Sequence, residues 1–539
     1  MGLGILEPAL PTRKVPGTVY LLQHEDSGQI NLNPRPSDSP NDPLRWPIWR
    51  KHVVLLAISI GCGLCGIQGT CLAVATLPIT EELEITLSQT QSFTAYSFIS
   101  IAVGCALSAI FARVIGKRPV YLLSGAFGLA GAAWNATGTS YGSLLGSRIL
   151  YGLGAGAFEA LALATSGDLY FVHERGRCVA FFSFVALGCT QLSPVLGGYL
   201  TDTYGWRSQF WILLAFWIAL MILIAFGCPE TSFSRPARYE TDIAIRDETT
   251  SPTGNEIEIT TSEGLEKGGF RDSANQDPIE QRRSYARELY PYRRIHTGVN
   301  LVDATIHFFV TGLYPIVWFA FVILGSYLAW FIGINVTLAQ IFGSPPILFT
   351  PTKIGYLNTF GFPGALAAEA LLHFTADRSC KWLARRNNNI HEPEFRLFMI
   401  IPAIVIGVLS LALFGWYAGD VALEQEISWV AASFIFGMVV FALVNGQSVA
   451  FSYLLDAHRE ISIEAGMFAV MLRSFLAYGA GTFVPQWLEH SGVAHTFYEI
   501  AGLQGGLITI ISLLMYVVGK RVRAFMAEHN PVRSFNLRI

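Results

Sequence analysis

The sequence predicts an all-α polytopic membrane protein in which twelve spanning helices form two six-helix bundles. Three observations carry this. Of 539 residues, 52% are hydrophobic and 14% are charged, against roughly 25% charged in an ordinary soluble domain. Apolar runs of about 20 residues, the length needed to cross a hydrocarbon core, recur along the chain. One long polar stretch divides them six and six. The formal net charge of -3 is small and the basic residues sit in short loops, which argues against a nucleic-acid partner. The eight cysteines lie mostly inside apolar runs without metal-ligand spacing, so they read as small packing residues, and no cofactor or metal is expected.

In chain order, residues 1–50 are polar and proline-rich. They lack the charged, apolar and small-residue regions of a cleavable signal peptide, so a disordered cytosolic segment is expected. Runs near 53–79, 92–112, 119–138, 141–166, 178–201 and 208–227 fill an N-terminal bundle over 51–228. Residues 229–303 are too hydrophilic to bury a core and read as a largely disordered cytosolic linker. Runs near 306–334, 354–376, 397–418, 429–452, 465–486 and 499–519 fill a C-terminal bundle over 304–520, and 521–539 form a cytosolic tail.

The distribution of positive charge fixes an orientation independently of hydropathy. With the N-terminus inside, Arg113, Lys117, Arg118, Arg175, Arg385, Arg386 and Arg396 all fall in cytosolic segments, while Glu81, Glu82 and Glu489 fall outside. The sequons at Asn135 and Asn335 also fall outside, which makes both candidate glycosylation sites, Asn335 the better one.

Charges within the apolar runs mark candidate functional positions, because a charged group in a spanning helix normally faces a bundle interior or a cavity. In the run at 141–166, Arg148 and Glu159 are eleven residues apart, which puts them on one helix face about 16 Å from each other. Gly152 and Gly156 share that face, which is expected to border a cavity. Glu159 is the candidate proton-linked or cation-binding group, and Arg148 is expected to shape the cavity potential or stabilise a neighbouring carboxylate. In the second half, Glu369, His373 and Asp377 follow at four-residue spacing, a pattern that can pass a proton or stabilise an interface. Arg473, Asn445 and Gln447 are further candidates for lining the cavity.

Two loop regions read as gates. Gly116 permits a tight turn, and Lys117 and Arg118 beside it can meet helix carbonyls or an acid. Asp168, Glu174 and Arg175 follow the fourth run as a short charged turn. In the fifth run, Pro194 removes a backbone hydrogen bond while Gly197 and Gly198 allow close helix approach, so a bend is expected there.

Together these segments resemble a known family. Asn41-Asp42-Pro43-Leu44-Arg45-Trp46-Pro47, Gly116-Lys117-Arg118-Pro119, Arg148 with Gly152 and Gly154, Asp168 through Gly176, Pro194 with Gly197 and Gly198, Gly205-Trp206-Arg207 and Pro229-Glu230-Thr231 are similar to segments of fungal major facilitator superfamily transporters, in the twelve-spanner drug:proton antiporter branch. The likeness covers about residues 35 to 525. It implies the major facilitator fold, a substrate site near the midplane between bundles and an antiporter-type bend at Pro194. The pattern departs at Arg113, where an aspartate is expected, at Ala109, where a glycine is expected, and at Ser193, which also replaces a glycine.

No nucleophile elbow, phosphate-binding loop or zinc-binding His-Glu-x-x-His helix occurs, so an enzyme is not expected. The expected function is proton-coupled export of a small organic compound such as a drug, toxin or specialised metabolite, by a monomer in the plasma membrane rather than the vacuolar membrane. Its partners are then substrate, protons and the lipid bilayer. Import of an organic cation such as a polyamine is one alternative. A non-transporting receptor on the same scaffold is another.

Overall fold

The computed structural model describes residues 3–7, 15–20, 39–170, 172–233, 284–290, 300–345, 347–421, 428–458 and 461–531. The N-terminal half holds α1 (Ile48–Glu82), α2 (Leu87–Ile115), α3 (Lys117–Thr137), α4 (Tyr141–Leu169), α5 (Val172–Tyr204) and α6 (Arg207–Gly227). After the short α7 (Tyr285–Glu288) and α8 (Leu301–Val310) come α9 (Pro315–Phe342), α10 (Pro351–Tyr356), α11 (Gly361–Arg386), α12 (Ile401–Gly415), α13 (Trp429–Ala457), α14 (Ser462–Ser491) and α15 (Val493–Glu528). Among the described residues, ten helices are long and apolar enough to cross a membrane. With the more polar α3 and α11, of 21 and 26 residues, each half holds six.

Several boundaries move for local chemical reasons. The seventh apolar run breaks at Thr311–Leu313, and the spanning helix begins at Pro315, where a missing N–H costs nothing. The eighth is split into α10 and α11. The basic segment after the fourth run is not a turn: the chain leaves α4 at Tyr170, and Glu174 and Arg175 already lie in the helical start of α5. Their side chains, like that of Asp377, are outside the described residues. At the C-terminus α15 runs past 520 to Glu528.

Parts of the segments expected to be disordered are docked. Val19–Tyr20 pairs antiparallel with Ile390–His391, Thr18 donates to Glu392 at 2.7 Å, and Lys520 pairs with Glu7 at 2.7 Å. From the linker, Glu288 pairs with Arg50 of α1, and its carbonyl accepts from Arg118 at 3.2 Å.

Small residues set the helix contacts around α4. A Cβ on Gly152 would meet the Ser97 carbonyl at 2.7 Å, and one on Gly156 would lie 2.4 Å from the backbone of Gly104 and Cys105. The face carrying these glycines therefore packs directly on α2 and does not border a cavity as expected from the sequence. On another side, Gly154 meets the Ser124 carbonyl of α3. Tyr151 and Phe158 stack edge-on against Trp217 of α6, which completes the core of this half.

The two bundles touch at both ends. At the end the charge rule places outside, the Gly198 and Gly355 positions sit against the carbonyls of Pro351 and Pro194, Thr352 N donates to Asp202 at 3.1 Å, and Gln91 donates to Gln340 at 2.9 Å. At the basic end, Arg113 of α2 reaches Glu464 of α14 at 3.1 Å.

Candidate transport site and gates

Midway along the bundles a polar cluster joins the two halves. Glu159 of α4 accepts from Arg473 Nη2 of α14 at 2.9 Å, the side chains being 18% and 17% exposed. Arg473 also donates to Gln447 of α13 at 3.3 Å, and Gln447 in turn donates to the Leu324 carbonyl of α9. One residue further along α13, Ser448 donates to Glu369 of α11 at 3.2 Å, and among the described residues Glu369 has no cationic partner. Asn445, fully buried, has no hydrogen-bond partner among the described residues for either amide atom. The structure thus brings Glu159, Arg473 and Gln447 together, while Glu369 is held separately by Ser448, the residue after Gln447 on α13. His373 is exposed and packs edge-on against Phe374 instead of continuing a path from Glu369.

Arg148 takes a different place from the one expected. It is 2% exposed, donates to the Gln68 carbonyl at 2.8 Å and lies 5.2 Å over the Phe210 ring. With its amide oxygen turned toward Arg148, Asn135 accepts from that guanidinium at 3.1 and 3.3 Å. Among the described residues Arg148 pairs with no carboxylate, so its charge is held by carbonyl dipoles and an aromatic face as an internal tie between α1, α3, α4 and α6. The carboxylate of Glu159 is stabilised by Arg473.

The same packing corrects the glycosylation expectation. Asn135 is 1% exposed, and Asn335 is 3% exposed inside α9, where it donates to the Phe331 carbonyl at 2.9 Å. Neither amide has room for a glycan in this fold.

The turn after α2 is held from three sides. Gly116 has φ 96°, a conformation glycine adopts without a Cβ penalty. Glu230 accepts from the backbone N–H groups of Lys117 and Arg118 at 3.1 and 3.0 Å, capping the N-terminus of α3 with a carboxylate. The Lys117 ammonium pairs with Asp168 at the end of α4, and Arg118 donates to the Ala225 carbonyl at 2.8 Å. These bonds all stay within the N-terminal half and its linker. In α5 the helix is continuous through Pro194, and Gly198, with the Pro194 carbonyl, forms the seam against α10, while Gly197 sits against Gln209 of α6.

Sequence reasoning missed three features. The first is the pairing partner of Arg113. The second is His307, whose Nδ1 receives Arg113 at 2.9 Å. The third is a buried cluster at the basic end of the second half. There Arg523, 1% exposed, reaches Glu392 at 2.8 Å and Glu394 at 2.7 Å, both carboxylates being fully buried. Burial alone would raise the Glu392 pKa, but Lys520, Thr18 and Arg523 outweigh it and hold the carboxyl below its usual range. Paired Glu and Arg or Lys in the weakly apolar flanks of the runs were the only available signal.

Two helical bundles that meet around a central polar cluster, with breakable contacts at each end, define an α-helical membrane carrier of the alternating-access type. The family model described as Major Facilitator Superfamily matches residues 56–471, and the chain belongs to that superfamily. It is a transporter of small molecules and not an enzyme. An uncharacterized MFS-type transporter of Schizosaccharomyces pombe is 24% identical over 97% of this chain and 95% of its own. Protein HOL1 of Saccharomyces cerevisiae is likewise 24% identical, over 97% and 95%. Efflux pump vrtL of Penicillium aethiopicum is 24% identical over 84% and 82%. Among solved structures, the xylose transporter XylE from E. coli superposes with a TM-score of 0.54 at 13% identity, covering 87% of this chain and 97% of its own. That likeness concerns the fold.

Proposed function

We propose that this protein is a proton-coupled secondary transporter that exports a small organic compound, with Glu159 as the group that alternates between Arg473 and a proton. The observation that carries the reading is the Glu159–Arg473 pair itself, because its members belong to opposite bundles. Separating the bundles breaks the pair, and breaking a largely buried pair leaves an uncompensated charge on each side. A proton on Glu159, together with a substrate acceptor group on Arg473, removes that penalty, so bundle movement is tied to both ligands. Export is the proposed direction because an efflux pump is among the relatives that align along most of the chain. The plasma membrane and a monomeric state belong to the same proposal.

Import of an organic cation is the second reading, favoured by one observation: Glu369 has the hydroxyl of Ser448 as its partner and no cationic one among the described residues. The test is reconstitution in liposomes with an imposed pH gradient and a panel of organic cations and neutral metabolites. Substrate moving against the proton flux supports export by exchange, and substrate moving with it supports import. A Glu159→Gln protein that still concentrates substrate with unchanged pH dependence excludes Glu159 as the coupling group.

A further inference from the structure

We propose that His307 is a proton-operated release for a latch that Arg113 and Glu464 form between the bundles at the basic end. Among the described residues the geometry is a three-residue junction. One guanidinium nitrogen of Arg113, on α2, donates both to Glu464 Oε1 on α14 at 3.1 Å and to His307 Nδ1 on α8 at 2.9 Å. Arginine is always a donor, so Nδ1 carries no proton here and the imidazole is neutral. His307 is 3% exposed, and its Nε2 has no hydrogen-bond partner among the described residues.

The placement of the three groups gives the junction a direction. Arg113 belongs to the N-terminal bundle, whereas His307 and Glu464 both belong to the C-terminal half. With neutral His307, Arg113 holds the other half by two bonds. A proton taken up at Nδ1 turns that acceptor into a donor, places a positive charge against Arg113 and offers Glu464 a cation from its own half. Attraction across the bundle interface is then replaced by attraction within one half. No further reactant is needed.

Among the described residues, the charged groups facing His307 are Arg113 from α2 and Glu464 from α14, with Asp303 exposed one turn back on its own helix. Burial, followed by the Arg113 charge, holds the imidazole below its ordinary pKa, with Glu464 opposing, so the neutral, latched form is the resting one and acid releases it. The arginine puts a cation at this position of α2, where the family resemblance expects an aspartate. That polarity is what allows a neutral histidine to strengthen it and a protonated one to weaken it. The inference concerns opening of the basic end and is separate from proton coupling at Glu159.

The test measures opening directly. Spin labels at Trp49→Cys and Lys381→Cys, both exposed positions of opposite bundles, are placed in full-length protein whose half-buried Cys62 and Cys189 are changed to alanine. Electron–electron distance distributions are recorded in lipid nanodiscs between pH 8 and pH 5. The wild-type background is expected to gain a longer-distance population several-fold as pH falls. His307→Gln keeps a neutral acceptor and should stay short at every pH, while His307→Arg should be long at every pH. Exchanging the charges, Arg113→Glu with Glu464→Arg, should reverse the response, because a protonated His307 would then attract the carboxylate placed on α2 across the interface. The swapped protein also decides the matter if His307→Arg does not fold. A pH transition that survives in His307→Gln, or keeps its sign in the swapped protein, overturns the proposal. If Glu159→Gln abolishes the transition while His307→Gln retains it, the proposal falls and the assignment of the proton to Glu159 stands.

Discussion

Glu159 and Arg473 are 314 residues apart along the chain and 2.9 Å apart in space, and they form an ion pair between opposite bundles. Their coupling is measurable apart from transport. Arg473→Gln alone should lower the thermal midpoint in detergent because Glu159 loses its cation. Adding Glu159→Gln should restore part of the loss, with a double-mutant coupling of about 1–3 kcal/mol for a pair that retains some solvent contact. Strictly additive effects would mean that the pair contributes nothing to holding the halves together.

The α2–α4 contact depends on the absence of side chains. At Gly156 an added Cβ would lie 2.4 Å from the backbone of Gly104 and Cys105, with no flexible side chain to yield. Gly156→Ala should therefore destabilise by about 1–3 kcal/mol, the usual range for overpacking, and reduce the folded yield in size-exclusion profiles. Gly142, which has open space around it, supplies the control: Gly142→Ala should behave as wild type.

Much of the architecture was legible in the sequence because apolar length and basic-residue placement are local properties. The central site was legible only in part, and the reason is visible at particular residues. Arg148 and Glu159 share a helix face by periodicity, but periodicity does not say what faces them. The structure puts α2 glycine-to-backbone against that face, Gln68 and Asn135 against Arg148, and a helix from the other half against Glu159. Arg473 and Gln447 were recognised singly as polar positions in apolar runs, while their joint contact depends on tertiary packing. The sequon at Asn135 reads as a surface feature by pattern, yet its amide serves as an internal acceptor for a buried arginine. The docked N-terminal segment escaped notice because its composition is polar and its anchors, Thr18 and Glu7, act through charges of the second half.

Those anchors predict an effect of truncation. Removing residues 1–20 takes away the Thr18 hydroxyl on Glu392 and the Glu7 carboxylate on Lys520. The core of the cluster, Arg523 with Glu392 and Glu394, remains. Arg523→Ala should be more severe than the truncation, on the order of 3–5 kcal/mol, because it leaves two buried carboxylates without their common cation. The folded pKa of Glu392 lies below its unfolded value, so its contribution is present above about pH 4.5 and is lost as pH falls through the folded value. Melting curves of wild type, truncation and Arg523→Ala at pH 7 rank the three. Equal midpoints for wild type and Arg523→Ala would refute the role of the cluster.

The seam at the other end is open to steric test. Gly198 sits 2.5 Å, at its would-be Cβ, from the Pro351 carbonyl, and Gly355 sits 2.3 Å from the Pro194 carbonyl. Gly198→Val should prevent α5 and α10 from closing, shift the protein toward forms parted at that end and slow transport severely while insertion persists. Gly205, where nothing lies within 4 Å but φ is +81°, should respond through backbone strain alone and leave the seam intact. Wild-type transport by Gly198→Val would show that α5 and α10 need not meet during the cycle.

Part of the acid sensitivity of the thermal midpoint should trace to a second buried histidine. His458 follows α13, is 7% exposed and packs edge-on against Tyr314 at 5.3 Å between ring centroids. Burial, followed by the nearby Arg523 charge, lowers its pKa from 6.5 to about 4. A depressed folded value means that the unfolded chain binds the proton first. The stabilising contribution of the neutral ring is therefore complete above about pH 6.5 and is lost as pH falls toward 4, by up to about 3 kcal/mol in total. His458→Gln removes the titrating group, so its thermal midpoint should fall less than that of wild type between pH 6.5 and pH 4.5. The comparison is made on the resting protein without substrate, so neither Glu159 nor any transport step enters. Parallel midpoint-versus-pH curves for the two proteins would show that His458 is not the source of the acid response.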